Sequence, residues 1–103
     1  MPDIAELESL IARFPDKPFP RYGLAMEYKK AARFDDAIAQ FDAALKLDPN
    51  YVAAYMHCGL AMREAGRIDD AKTTLQKGLG VAQRIGNSHA AGEIAGILQE
   101  IGG

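Results

Sequence analysis

Residues Pro18 to Tyr51 can be laid over Val52 to Ile85 with a shift of 34 residues, and one apolar pattern is then written twice. Leu24 falls on Cys58, Ala25 on Gly59, Tyr28 on Met62, Asp36 on Asp70, Ala37 on Ala71, Phe41 on Leu75 and Leu45 on Leu79, each pair alike in size or polarity. No other property constrains the fold as tightly. A unit of this length with two apolar stripes at helical spacing cannot bury its faces alone, so it stacks on its copies as an array of helix pairs.

The flanks continue the pattern. Ile4, Leu7, Leu10, Ile11 and Phe14 recur at threes and fours ahead of Pro15, with Asp3 placed as N-cap of a helix at about 3–14. Counted back from Pro18, Pro15 stands where Pro49 stands in the next copy, so Leu7 takes the place of Phe41 and Ile11 that of Leu45. This opening helix reads as the second half of a unit. Asp16-Lys17-Pro18-Phe19-Pro20 is expected to be a turn. Helices are expected next at about 20–31, with Leu24, Ala25 and Tyr28 on the packing edge, and at about 35–47, with Asp35 and Asp36 at the positive end of the dipole. Asp48 is expected to cap a helix near 50–65 with Pro49 in its first turn, and Gly66 to end it. Gly78 and Gly80 should weaken the helix near 68–85 by about 1 kcal/mol each relative to alanine. Gly86 stops it, and Asn87 or Ser88 caps a last helix near 88–101, with Gly102-Gly103 as a frayed end. In that helix Ile94, Ala95 and Leu98 repeat the large, small and aromatic order two residues late.

The order of Leu24, Ala25, Tyr28, Ala37, Phe41, Ala44 and Pro49, with Tyr55, Gly59, Gly66, Ala71 and Leu75 in the second copy, resembles the tetratricopeptide repeat family. Arg21 departs from the family pattern, which favours an aromatic side chain there. The resemblance implies an all-α, right-handed α-α superhelix, or solenoid, of six antiparallel helices. Its parts would be an N-terminal capping helix (1–17), two repeats (18–51 and 52–85) and a C-terminal capping helix (86–103). It further implies a protein–protein interaction scaffold whose first helix in each unit lines a concave groove. The family's groove positions are Phe19, Tyr22, Met26, Lys29 and Lys30 in the first copy, and Ala53, Met56, Leu60, Arg63 and Glu64 in the second. The third copy offers His89, Gly92, Gly96, Gln99 and Glu100.

One subclass holds a C-terminal carboxylate with Lys and Asn where this chain has Tyr22 and Met26, so that clamp is not expected here. What is left is an apolar channel of Phe19, Tyr22, Met26, Met56 and Leu60, rimmed by Lys29, Lys30 and Arg63, with His57 turned toward it. Such a channel suits a peptide or partner helix with apolar anchors and acidic flanks. Two other readings stay open. Ile97 and Ile101 lie off the packing stripe of the last helix, and Gly92 and Gly96 flatten its other side, which suits a two-fold homodimer. The chain also reads as a segment of a longer array.

Composition serves to exclude. A formal net charge of −2 argues against the clustered basic surface that nucleic acid needs, and a solvated helix face accounts for Lys29, Lys30 and Arg33. No stretch approaches about 18 uninterrupted apolar residues, so no membrane span is expected. One cysteine closes no internal disulfide, and the N-terminus lacks a basic region followed by an apolar run, so the expectation is a cytoplasmic protein. His57, Cys58 and His89 lack metal-ligand spacing, and the recurrence of Asp35-Asp36 as Asp69-Asp70 marks helix starts rather than acid–base pairs. Neither an enzyme activity nor a cofactor is expected.

Overall fold

The computed structural model describes residues 2–102. Among them run six helices: α1 (Ile4–Arg13), α2 (Pro18–Lys30), α3 (Phe34–Leu47), α4 (Val52–Glu64), α5 (Ile68–Arg84) and α6 (Ser88–Glu100). Connections of three or four residues leave each helix no choice but to fold back on the one before it. All six helices and the solenoid architecture agree with the sequence reading.

The helix ends show how the local chemistry sets the boundaries. The Asp3 carboxylate accepts from the Glu6 N–H at 2.9 Å, and Asn87 accepts from the Ala90 N–H at 3.1 Å, so both expected caps are made. Residues 18–20 are helix, not turn. Pro18 and Pro20 fall in the first turn of α2, where their missing N–H groups would have had no intrahelical acceptor. Asp48 does not cap α4. It closes α3, and its Oδ1 accepts from the Asn50 N–H at 3.0 Å, which draws Pro49 into a turn and delays α4 to Val52. Gly102 completes the end of α6, its N–H donating to the Gln99 carbonyl at 3.2 Å; Gly103 lies outside the described residues.

Three helices end in one motif. The N–H groups of Arg33, Arg67 and Asn87 each donate to the carbonyl five residues back, on Tyr28, Met62 and Ala82, at 2.8 Å. The residue ahead of each donor is left-handed: Gly66 at φ 78°, Gly86 at φ 77° and Ala32 at φ 58°. Ala32 alone sets a Cβ against the following carbonyl there. Ala32→Gly is therefore expected to be neutral or stabilising by up to about 1 kcal/mol, the reverse of the usual glycine penalty. Denaturant titration checks this, and a clear loss of stability would contradict it.

Two apolar clusters hold the stack together. The first joins α2, α3, α4 and α5 through Ala25, Phe41, Cys58, Met62 and Ala71; the second joins α4, α5 and α6 through Val52, Leu75, Ala82, Ile94 and Leu98. Cys58 is a buried apolar residue, and burial pushes its thiol up to about 12, out of the reactive range. A Cβ on Gly59 would come within 2.5 Å of Leu75 Cγ, so the small residue at this repeat position sets how closely α4 and α5 approach. Ala95 is exposed where Ala25 and Gly59 are buried, because among the described residues no helix follows α6.

The direction of curvature follows from which helices meet across the stack. α2 touches α4 and α4 touches α6, whereas among the described residues no such contact joins α1 to α3 or α3 to α5. The even-numbered helices are therefore the inner, tighter layer and the odd-numbered ones the outer layer. The inner layer presents the candidate site.

Candidate partner-binding face

The inner face begins with a row of aromatic rings. Phe19, in the first turn of α2, is 64% exposed, and its ring lies 6.5 Å from that of Tyr22. Tyr22 stacks on Tyr51 at 4.8 Å and meets Phe41 edge-on at 5.9 Å and His57 edge-on at 6.2 Å. Phe41 comes from the core, so the row is held from beneath. Burial pushes the phenols of Tyr22 and Tyr51 up from their ordinary value, which keeps both neutral and able to donate a hydrogen bond. Met26 packs on the first cluster and Met56 on the second, and half-buried Leu60 lies one helical turn beyond Met56.

Charge gathers at the other end. The Lys29 ammonium donates to His57 Nδ1 at 3.2 Å across the α2–α4 seam, and Arg63 pairs with Glu100 of α6 at 3.1 Å. Lys30 is taken by Glu27 at 3.1 Å. Lys29 has its pKa lowered by burial and by Arg63, opposed by Glu64. His57 is lowered by burial first and by the Lys29 charge second, with Glu93 opposing, so the ring is neutral near pH 7 and accepts from Lys29.

This pair makes stability depend on pH. An unfolded imidazole titrates near about 6.5 and the folded one below it, so between the two values the unfolded chain binds more protons. Stability is thus full above about 6.5 and is lost as pH falls through the folded value. The denaturation midpoint is expected to drop between about pH 7 and about pH 5, and to drop less in His57→Gln, whose amide oxygen still accepts from Lys29. Equal drops in the two proteins would remove His57 from the account.

Phe19, Tyr22, Met26, Lys29, Met56, His57, Leu60 and Arg63 thus lie on the two neighbouring inner helices, with Lys30 on the rim. Sequence reasoning missed Tyr51, which completes the aromatic row. The corresponding residues in the other copies are Lys17 and Ile85, so periodicity carried no signal; an aromatic directly after the Asp48-Pro49-Asn50 turn was the only hint. Gly92 and Gly96 face open space on α6, while Ile97 packs on the second cluster and Ile101 on both, each half-buried.

Two clefts of about 290 and 270 Å³ open on the outer layer. Asp42, Leu45, Lys46, Tyr55 and Thr74 line one; Glu8, Ile11, Ala12, Arg21 and Gln40, each 34 residues earlier, line the other. Their recurrence makes them products of stacking: a gap opens wherever two outer helices splay over an inner one. Arg21 takes the tyrosine position of its copy in this way. Among the described residues, no three or more His, Cys, Asp and Glu side chains are placed to hold a metal ion, and no helix is long and apolar enough to cross a membrane.

The family model described as tetratricopeptide repeat matches residues 28–92. The chain belongs to the tetratricopeptide repeat family. Solved tetratricopeptide repeat structures superpose closely on it. The TPR2B domain of yeast Sti1, solved as a pHsp70 complex, gives a TM-score of 0.90 at 24% identity over 95% of this chain and 78% of that one, which shows the fold. A tetratricopeptide repeat domain protein from Salinibacter ruber gives 0.79 at 33% identity over 85% of this chain and 89% of that one. A curated relative, the probable UDP-N-acetylglucosamine–peptide N-acetylglucosaminyltransferase SPINDLY of Petunia hybrida, is 31% identical over 77 residues, or 75% of this chain. The chain spans 7% of that relative's length.

Proposed function

We propose that this chain is an interaction module that holds a peptide or partner helix on its inner face, with apolar side chains seated on Phe19, Tyr22, Met26, Met56 and Leu60 and acidic ones at Lys29, Lys30 and Arg63. The observation that carries this reading is the exposed Phe19 ring continuous with half-buried Tyr22, Tyr51, Met26 and Met56, an apolar surface of the kind that marks interaction sites. The pHsp70 complex of the yeast neighbour supports a protein ligand for this fold. In this reading residues 1–17 and 86–103 cap two repeats, 18–51 and 52–85, and the module works in the cytoplasm without cofactor, catalysis, nucleic acid or membrane.

The contacts divide kinetically. Lys29→Glu is expected to slow association and flatten its salt dependence, because reversing a charge on the inner face turns attraction of an acidic ligand into repulsion at encounter. Leu60→Ala is expected to speed dissociation instead. Surface plasmon resonance on a captured partner separates the two, and unaltered rates in both variants would remove the inner face from consideration. Two-fold pairing of α6 is the second reading, favoured by the open space beside Gly92 and Gly96. It predicts a dimer by light scattering that Ile97→Glu with Ile101→Glu abolishes, and a wild type monomeric at high micromolar concentration would dismiss it.

A further inference from the structure

The cations on the inner face are not equivalent. Lys30 is met by the Glu27 carboxylate and Arg63 by that of Glu100, but the half-buried Lys29 is met by a neutral imidazole. A neutral acceptor orients an ammonium without cancelling its charge, and the Glu64 carboxylate acts on Lys29 only from beyond ion-pair distance, so Lys29 is the strong point for a ligand carboxylate. The aromatic row offers the complementary point for an apolar side chain, and the separation of the two is set by α2. Midway between Phe19 and Tyr22 lies about 13 Å from Lys29 along the axis, at about 1.5 Å per residue.

The separation of the two points selects the ligand's conformation. In a helical ligand about 13 Å takes about eight or nine residues, which point to different sides of the helix, whereas residues four apart in an extended strand share one face. At about 3.3 Å per residue, 13 Å is about four residues of extended chain.

We infer that the inner face reads an extended segment in which an apolar, preferably aromatic, side chain and an acidic one stand about four residues apart, the first on the Phe19–Tyr22–Tyr51 row and the second on Lys29. This rests on the inner face being the binding surface. The test uses short Ser/Thr peptides, each with one Phe and one Glu separated by two, four or seven residues, titrated into isotopically labelled protein and followed by amide NMR shifts. The four-residue spacing is expected to bind about tenfold tighter than the others, the change that one well-placed charge-assisted contact provides. Lys29→Met, which keeps the aliphatic stem, should abolish that preference while its amide spectrum reports an intact fold. Equal affinity at all spacings, with shifts confined to α2 and α4, overturns the spacing and leaves inner-face binding standing. Shifts that avoid α2 and α4 with every peptide overturn both.

Discussion

Phe41→Ala is expected to cost about 3–5 kcal/mol, a large share of the roughly 5–15 kcal/mol that holds a domain of this size folded. The ring is fully buried and is the largest of the wholly enclosed side chains, set among Ala25, Ile38, Cys58 and Ala61 from three helices. Alanines fill much of that cluster and cannot reach into the space a lost ring leaves, so the void would persist rather than collapse. Tyr22 rests edge-on against Phe41 at 5.9 Å, so the same substitution should also loosen the aromatic row of the inner face. Guanidinium denaturation gives the number. A loss under about 1 kcal/mol would mean that Phe41 does not sit between helix pairs.

The two glycines of α5 are expected to respond with opposite signs. Helix propensity alone favours alanine over glycine by about 1 kcal/mol at either site. At Gly80 a Cβ meets nothing within 4 Å, so Gly80→Ala should realise that gain. At Gly78 a Cβ would lie 2.6 Å from Tyr55 Cβ and 3.2 Å from its Cγ. Tyr55 cannot swing away freely, since its hydroxyl donates to the Pro49 carbonyl at 2.9 Å and the colliding atom adjoins its backbone. Gly78→Ala should therefore push α4 and α5 apart and cost about 1–3 kcal/mol net. Thermal melts of the two single variants decide it. If both stabilise, the α4–α5 contact has slack that this packing denies.

In sequence these two glycines are indistinguishable, and both read as helix weakeners. Gly78 is instead the site of a close helix approach, information held by Tyr55, 23 residues earlier, and by no local pattern. The fold itself was legible because the 34-residue period aligns positions that share one environment: Phe41 with Leu75, Ala37 with Ala71, and the left-handed Ala32 with Gly66. Boundaries were less so. Pro18 reads as turn until its place in a first helical turn is known, and Asp48 reads as an N-cap until its carboxylate is seen closing a turn on Asn50. Which residues fall on the even-numbered helices was legible from the period, yet pairings across the seam, Tyr22 on Tyr51 and Lys29 on His57, depend on rotamers and on non-repeating residues.

The claim that the inner face is the working surface is tested most directly by a lysine-acetylation footprint, read by mass spectrometry with and without bound partner. Lys29 is expected to lose reactivity when the partner binds, while Lys46 and Lys77, beside an outer cleft, keep theirs. Protection of Lys46 and Lys77 with Lys29 still reactive would place the partner on the outer layer and contradict the account.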